Sequence, residues 1–161
     1  MGFLAFLANG ASPQQAIKVV IVAIIPVTLP IEVYPSTPCD KNPAALDQFR
    51  ETWQDVWPDI EYHRDYRVML ESAQPDLLSI ATSDHAHAEI AVKGALGSPR
   101  AILCEKPIAT TLADADRMIA ACSEKQTLLS VEHTRRWDPT FLRARQLIQS
   151  GDLGPLRTIV V

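Results

Sequence analysis

Three short apolar runs, Asp76 to Thr82, Ala101 to Cys104 and Thr127 to Val131, recur at similar intervals with helical patterns between them. This alternation constrains the fold more than any other feature. Short buried strands joined by helices read as βαβαβ, the unit of a parallel sheet. Right-handed crossovers then bring the strand carboxyl ends to one edge. Between the first two runs, Asp84 can cap a helix that turns Ile90, Ala91 and Ala95 inward. Between the next two, Thr110 or Thr111 can cap a helix with Leu112, Ala115, Met118, Ile119 and Cys122 on one face.

The flanks follow the same grammar. Asn42-Pro43 is a cap with proline in the first turn, and Leu46, Phe49, Trp53 and Val56 follow at helical spacing. Trp53 and Trp57 read as core and rim of that helix. A shorter helix is expected over Asp65 to Ala73, with Tyr66, Met69 and Leu70 inward and Pro75 beyond its end. Asp138-Pro139 repeats the cap signal, Phe141, Leu142, Ala144, Leu147 and Ile148 form an apolar stripe, and Gly151 suits the carboxyl cap. Leu156 to Val161 reads as a strand. At the amino end, Val19 to Ile31 is short for a membrane span and is broken by Pro26 and Pro30, so a buried strand within Ile17 to Ile25 is expected. Met1-Gly2 lacks the hydroxyl residue a myristoylation start wants, and no basic residue precedes Phe3 to Ala8 as a signal peptide would require.

Bulk properties narrow the function. A 161-residue chain with 47% apolar and 21% charged residues suits one soluble globular domain. A net charge of −4 without a basic block argues against nucleic acid as the main partner. Cys39, Cys104 and Cys122 are scattered and odd in number, so no disulfide framework or zinc knuckle is indicated and a cytoplasmic setting is expected. Membrane association is not expected.

Chemistry gathers at Cys104-Glu105-Lys106-Pro107, which follows the second apolar run. In open α/β sheets, ligands bind in the crevice outside strand carboxyl ends. A lysine there can orient a polar substrate or exchange a proton with it. The alternative is a strand-end salt bridge with a proline turn.

From Asp40 onward the chain resembles the nucleotide-binding half of the Gfo/Idh/MocA family of NAD(P)-dependent oxidoreductases. The matching residues occur in order: Cys39-Asp40-Lys41-Asn42-Pro43, Asp65-Tyr66 with Met69-Leu70, Pro75-Asp76 with Ser79-Ile80-Ala81-Thr82, His85-Ala86-His87-Ala88-Glu89, then Glu105-Lys106-Pro107. His133, Arg135-Arg136-Trp137, Pro139 and Gly151-Asp152-Leu153-Gly154 follow. The resemblance implies a Rossmann-like parallel sheet with helices on both faces, with an atypical first βα unit. It also implies NAD or NADP across the strand ends and hydride transfer on a sugar, polyol or related hydroxyl or carbonyl compound. Lys106 would be the catalytic residue and would also help hold the cofactor ribose. Glu105 would line the nicotinamide side and Pro107 would fix the turn. Asp40 would bind the adenosine ribose, which favours NAD over NADP, although Lys41 beside it could tolerate a phosphate. Thr82, Ser83 and His87 would complete the cofactor channel, and Arg136 and Trp137 would lie toward the substrate. Ser83 and Asp84 stand where the family often has Pro and Asn.

Two family features are not visible. None of the six glycines forms a GxGxxG loop after the expected first strand, where Pro26-Val27-Thr28-Leu29-Pro30 stands instead. The substrate domain, which in the family carries most substrate contacts and the oligomer interface, is also expected to be missing. The expected organisation is an atypical segment over 1–38, a nucleotide-binding domain over 39–155, and the start of an absent domain over 156–161. A second reading therefore stays open: a non-catalytic, truncated nucleotide-binding-like domain or interaction module. A flavodoxin-like or response-regulator-like reading lacks the acidic cluster or phosphate loop it needs. His85, His87 and His133 read as helix-cap or cofactor-side residues, not metal ligands. Cys104 reads as a buried strand residue, with no base identifiable beside it.

Overall fold

The structure is a computed structural model, and it describes residues 19–22, 35–155 and 157–158. They form two compact units, one reaching Val131 and one beginning at Glu132.

The first unit is built on a sheet of five strands: β1 (Val19–Val22), β2 (Pro35–Cys39), β3 (Leu77–Ile80), β4 (Ala101–Glu105) and β5 (Leu128–Glu132). Their order is β2-β1-β3-β4-β5. β1 pairs in parallel with both β2 and β3, and β3 pairs in parallel with β4. Among the described residues four α-helices accompany them: α1 (Pro43–Trp53), α2 (Tyr66–Ala73), α3 (His87–Ala95) and α4 (Leu112–Glu124). The steps β2 to β3, β3 to β4 and β4 to β5 all run the same way across the sheet, so right-handed crossovers carry their helices over a common face. The reverse step, β1 to β2, runs through residues 23–34. The prolines expected to break a helix there lie outside the described residues; of the strand expected over Leu156 to Val161 only residues 157–158 are described, and they belong to no strand.

The expected three-run pattern is the centre of the sheet. β3 and β4 bury Leu77, Leu78, Ile80, Ala101, Ile102 and Cys104 almost completely. α3 turns Ile90, Ala91 and Ala95 onto them, and Met69 from α2 and Met118 from α4 complete the core. Each buried leucine, isoleucine and methionine among them contributes about 1.5–3 kcal/mol through removal from water. The Thr127 hydroxyl is buried and donates to the Pro99 carbonyl at 2.8 Å.

β2 carries two prolines, an unusual composition for a strand. It is tolerated because β2 lies at the edge of the five-strand order. The Pro38 carbonyl faces outward and accepts from His63 N at 3.1 Å, so the N–H that Pro38 lacks would also face away from β1.

The caps follow the sequence with one exception. Asn42, Asp65 and Thr111 each accept a backbone N–H of the first turn. Asp84 does not cap an α-helix: a 3-10 turn occupies Asp84–Ala86 and α3 begins at His87. Two expected faces are narrower than the spacing implied. On α4, Met118 and Cys122 are buried but Leu112 and Ile119 are exposed, because they lie about 100–120° round the helix from Met118. α1 stops at Trp53, which leaves Val56 exposed beyond it and Trp57 folded back at a ring-centroid distance of 4.7 Å from Trp53.

The second unit contains a 3-10 turn at Thr134–Arg136 and helix α5 (Pro139–Ser150). Asp138 caps α5 by accepting from Thr140 N at 2.7 Å, and Gly151 ends it at φ 80°. No α5 residue is buried among those described, so its apolar stripe is not a core face there. No helix of the described residues is long and apolar enough to cross a membrane.

Candidate functional site

A cleft of about 360 Å³ opens at the carboxyl ends of β2 and β3. Strand order reverses nearby, where β1 sits between β2 and β3, and this is where open α/β sheets leave a crevice. Cys39, Asp40 and Lys41 line it from the end of β2, and Thr82 and Ser83 from beyond β3. Tyr66 and Arg67 enter from the start of α2, and His85 and Glu89 from the turn and helix opposite.

Charges of both signs are fixed around the cleft. Tyr66 donates its hydroxyl to Glu89 Oε1 at 2.6 Å, and Arg67 donates to the same oxygen. These two donors hold the Glu89 carboxyl below the ordinary carboxylate range. Burial, then the hydrogen bond to Glu89, pushes the Tyr66 hydroxyl up to about 12, so it remains a donor. Asp40 accepts from Asn42 N at 2.8 Å, which fixes its carboxylate at the lip of α1. A fixed acidic acceptor at the end of a second strand is the group a ribose diol needs.

The next strand end carries the Glu-Lys-Pro turn. β4 delivers Glu105, Lys106 follows exposed, and the Lys106–Pro107 peptide bond is cis. Glu105 Oε2 accepts from the Lys106 backbone N at 3.1 Å, and Cys104 Sγ lies 4.0 Å from the Ile108 carbonyl. Among the described residues the Lys106 ammonium makes no ion pair, so the turn is not a strand-end Glu105–Lys106 salt bridge.

The structure thus brings Asp40, Thr82 and Ser83 together at one cleft. It places Glu105, Lys106 and Pro107 on the adjoining strand-end turn. His87 is buried, with Nδ1 2.8 Å from the Pro107 carbonyl and Nε2 3.1 Å from the Thr82 carbonyl. Arg136 and Trp137 belong to the second unit and are exposed. The Tyr66–Glu89–Arg67 group did not emerge from the sequence as a site. Its members lie 22 or 23 residues apart on two helices, and only the fold unites them.

The thiols are inert. Burial, then Asp40 and Asp65, pushes Cys39 from 9.0 up to about 12. Burial, then Glu105, does the same to Cys104. Both folded-state values are raised, so their contribution to stability is complete below 9.0 and is lost as the pH climbs toward 12. Over that range the unfolded chain releases thiol protons that the folded chain keeps. The urea midpoint is therefore expected to fall steadily from pH 9 upward, with slow thiol labelling of the folded chain. A flat midpoint with rapid labelling of Cys104 would contradict this.

Comparison with known proteins agrees with this geometry. The profile described as "Oxidoreductase family, NAD-binding Rossmann fold" matches residues 34–133. Inositol 2-dehydrogenase of Salmonella typhimurium is 30% identical over 112 residues, 69% of this chain and 31% of that one. D-apiose dehydrogenase of Paraburkholderia graminis is 36% identical over 92 residues, 57% of this chain and 24% of that one. The WlbA dehydrogenase of Bordetella pertussis, solved with NADH and UDP-GlcNAcA, superposes with a TM-score of 0.74 at 24% identity. That match covers 87% of this chain and 44% of the dehydrogenase, and shows the shared fold. The match spans between about a quarter and a third of the length of these curated relatives.

Proposed function

The chain belongs to the Gfo/Idh/MocA oxidoreductase family, with its NAD-binding Rossmann fold, and from that premise we propose that it binds NAD along the strand carboxyl ends and supports hydride transfer on a sugar or polyol. The observation that carries the proposal is the placement of two separate devices on one sheet edge. Asp40 stands at the end of β2, and Lys106 two strands past the reversal of strand order, at the end of β4.

The cleft passes a test of fit. Its 360 Å³ is within the size range of small-molecule sites, and Asp40 gives it a fixed acceptor for a ribose diol. Thr82 and Ser83 offer polar edges on the opposite wall. The carboxylate of Asp40 disfavours a second phosphate at the ribose, so NAD is preferred to NADP. The nicotinamide, when bound, supplies the site that accepts or gives hydride.

The chain's own residues do the remaining work. Lys106 Nζ donates to the substrate oxygen, orients the reacting carbon, and gives or takes the hydroxyl proton. Glu105 is occupied by the Lys106 backbone N and so stiffens the turn. The relatives' names point to inositols and the sugar D-apiose as substrate classes. A cytoplasmic setting is part of it, supported by three buried free thiols.

A calorimetric titration with NADH and then NADPH tests the proposal. Saturable binding of NADH, weaker for NADPH, is the expected result. A folded chain that binds neither dinucleotide would overturn it and leave the non-catalytic reading in its place.

A further inference from the structure

We infer that His87 is a positioning residue that locks the Lys106 turn to the wall of the cofactor cleft. The inference rests on the dinucleotide-binding reading above and adds a role for a side chain buried from solvent. His87 is 1% exposed and is the first residue of α3. Its Nδ1 lies 2.8 Å from the carbonyl of Pro107, and its Nε2 lies 3.1 Å from the carbonyl of Thr82. Carbonyl oxygens only accept, so the ring can hold either partner only by donating. A neutral ring donates to one carbonyl at a time, and a protonated ring to both.

Those two carbonyls belong to the two loops that matter most here. Thr82 lines the cleft, and Pro107 directly follows the lysine. Neither backbone group lies within a strand ladder, because β3 ends at Ile80 and β4 at Glu105. Of its own the turn has the Glu105 carboxylate on the Lys106 N, the long contact from the Cys104 thiol to Ile108, and Ile108 and Ala109 packed against the core. His87 therefore ties the turn to α3 through the Pro107 carbonyl, with the Thr82 carbonyl on the other side of its ring. It is rooted in a helix whose next inward residues, Ala88, Ile90 and Ala91, are buried in the core. Loss of such a buried bond loosens the groups it joined, while helix packing elsewhere survives.

The test compares wild type with His87→Phe, which keeps the bulk but donates nothing, and His87→Gln, which keeps one donor. Amide exchange is followed at the turn, residues 105–109, and at α4 as an internal reference. Binding is followed with two probes, NADH and ADP-ribose, the second lacking the nicotinamide end. In His87→Phe, turn exchange and the NADH dissociation constant should each rise about tenfold, the effect of one lost hydrogen bond, while ADP-ribose binding and α4 exchange hold. His87→Gln should recover part of the loss. Equal exchange at the turn in wild type and His87→Phe would overturn the inference. So would a uniform rise in exchange with both probes weakened alike, since that marks a residue serving only the core. A wild type that binds neither probe would remove the dinucleotide reading, and the exchange comparison would still decide whether His87 locks the turn.

Discussion

If the proposed hydride transfer holds, Lys106→Ala is expected to lower turnover by roughly 10²–10⁴-fold, the usual contribution of a positioned proton-transfer group. The measurement is formation of reduced nicotinamide, followed by its absorbance, with an inositol and an aldopentose as trial substrates. The fold should not move. Lys106 is exposed and its ammonium makes no ion pair among the described residues, so the melting temperature should shift little, as for surface changes worth within about 0.5 kcal/mol. The Glu105 bond to the turn goes to the backbone N of residue 106 and survives the substitution.

Lys106→Arg separates two roles. Arginine keeps the positive charge but does not give up its proton in proteins. If residue 106 only orients the substrate oxygen, arginine should restore much of the rate. If it exchanges a proton, arginine should remain as slow as alanine. Unchanged turnover in Lys106→Ala would remove the lysine from the mechanism.

Much of this arrangement was legible before any coordinates, for a local reason. Caps and strand runs are short-range signals: Asn42, Thr111 and Asp138 each bond an N–H two or three residues on, and sequence spacing captures that. Glu105, Lys106 and Pro107 were legible as a unit because their placement depends only on where β4 ends. Asp84 misled because its carboxylate accepts from the adjacent His85 N at 3.0 Å, a turn contact that competes with a helix cap. Leu112 and Ile119 misled because apolar periodicity reports which residues could face inward, not how wide a face the neighbours cover.

The site was less legible because its bonds are long-range. His87 reaches Pro107 across 20 residues, and Tyr66 reaches Glu89 across 23. No periodicity relates such pairs. The family resemblance implied His87 as part of the cofactor channel, and the fold buries it at the start of α3. What only the fold shows is that both ring nitrogens face carbonyls, so its influence runs through the turn and not through direct contact.

The seating of α3 carries the second large expected effect. His87 and Gly94 lie seven residues apart, and so on one face of α3, and both are buried. Gly94 lets the helix approach closely: a Cβ there would lie 2.3 Å from Leu78 Cδ2 and 3.8 Å from Ile102 Cδ1. Leu78 is fully buried, so its methyl has little room to retreat. Overpacking at about 1–3 kcal/mol set against the roughly 1 kcal/mol that alanine gains in helix propensity leaves Gly94→Ala destabilising by up to about 2 kcal/mol. Leu78→Ala alone should cost about 3 kcal/mol by opening a cavity between α3 and the sheet. The two changes should not add. In the double variant the new Cβ enters the space the leucine vacated, so the pair should cost at least about 1 kcal/mol less than the sum. Urea unfolding of wild type, the two single variants and the double variant measures the coupling. Strict additivity would mean that the helix approach is set elsewhere. A coupled result would also connect core to site: a substitution that lifts α3 at Gly94 moves the helix that begins at His87. Gly94→Ala should then speed exchange at residues 105–109, and the double variant should return it toward the wild-type rate.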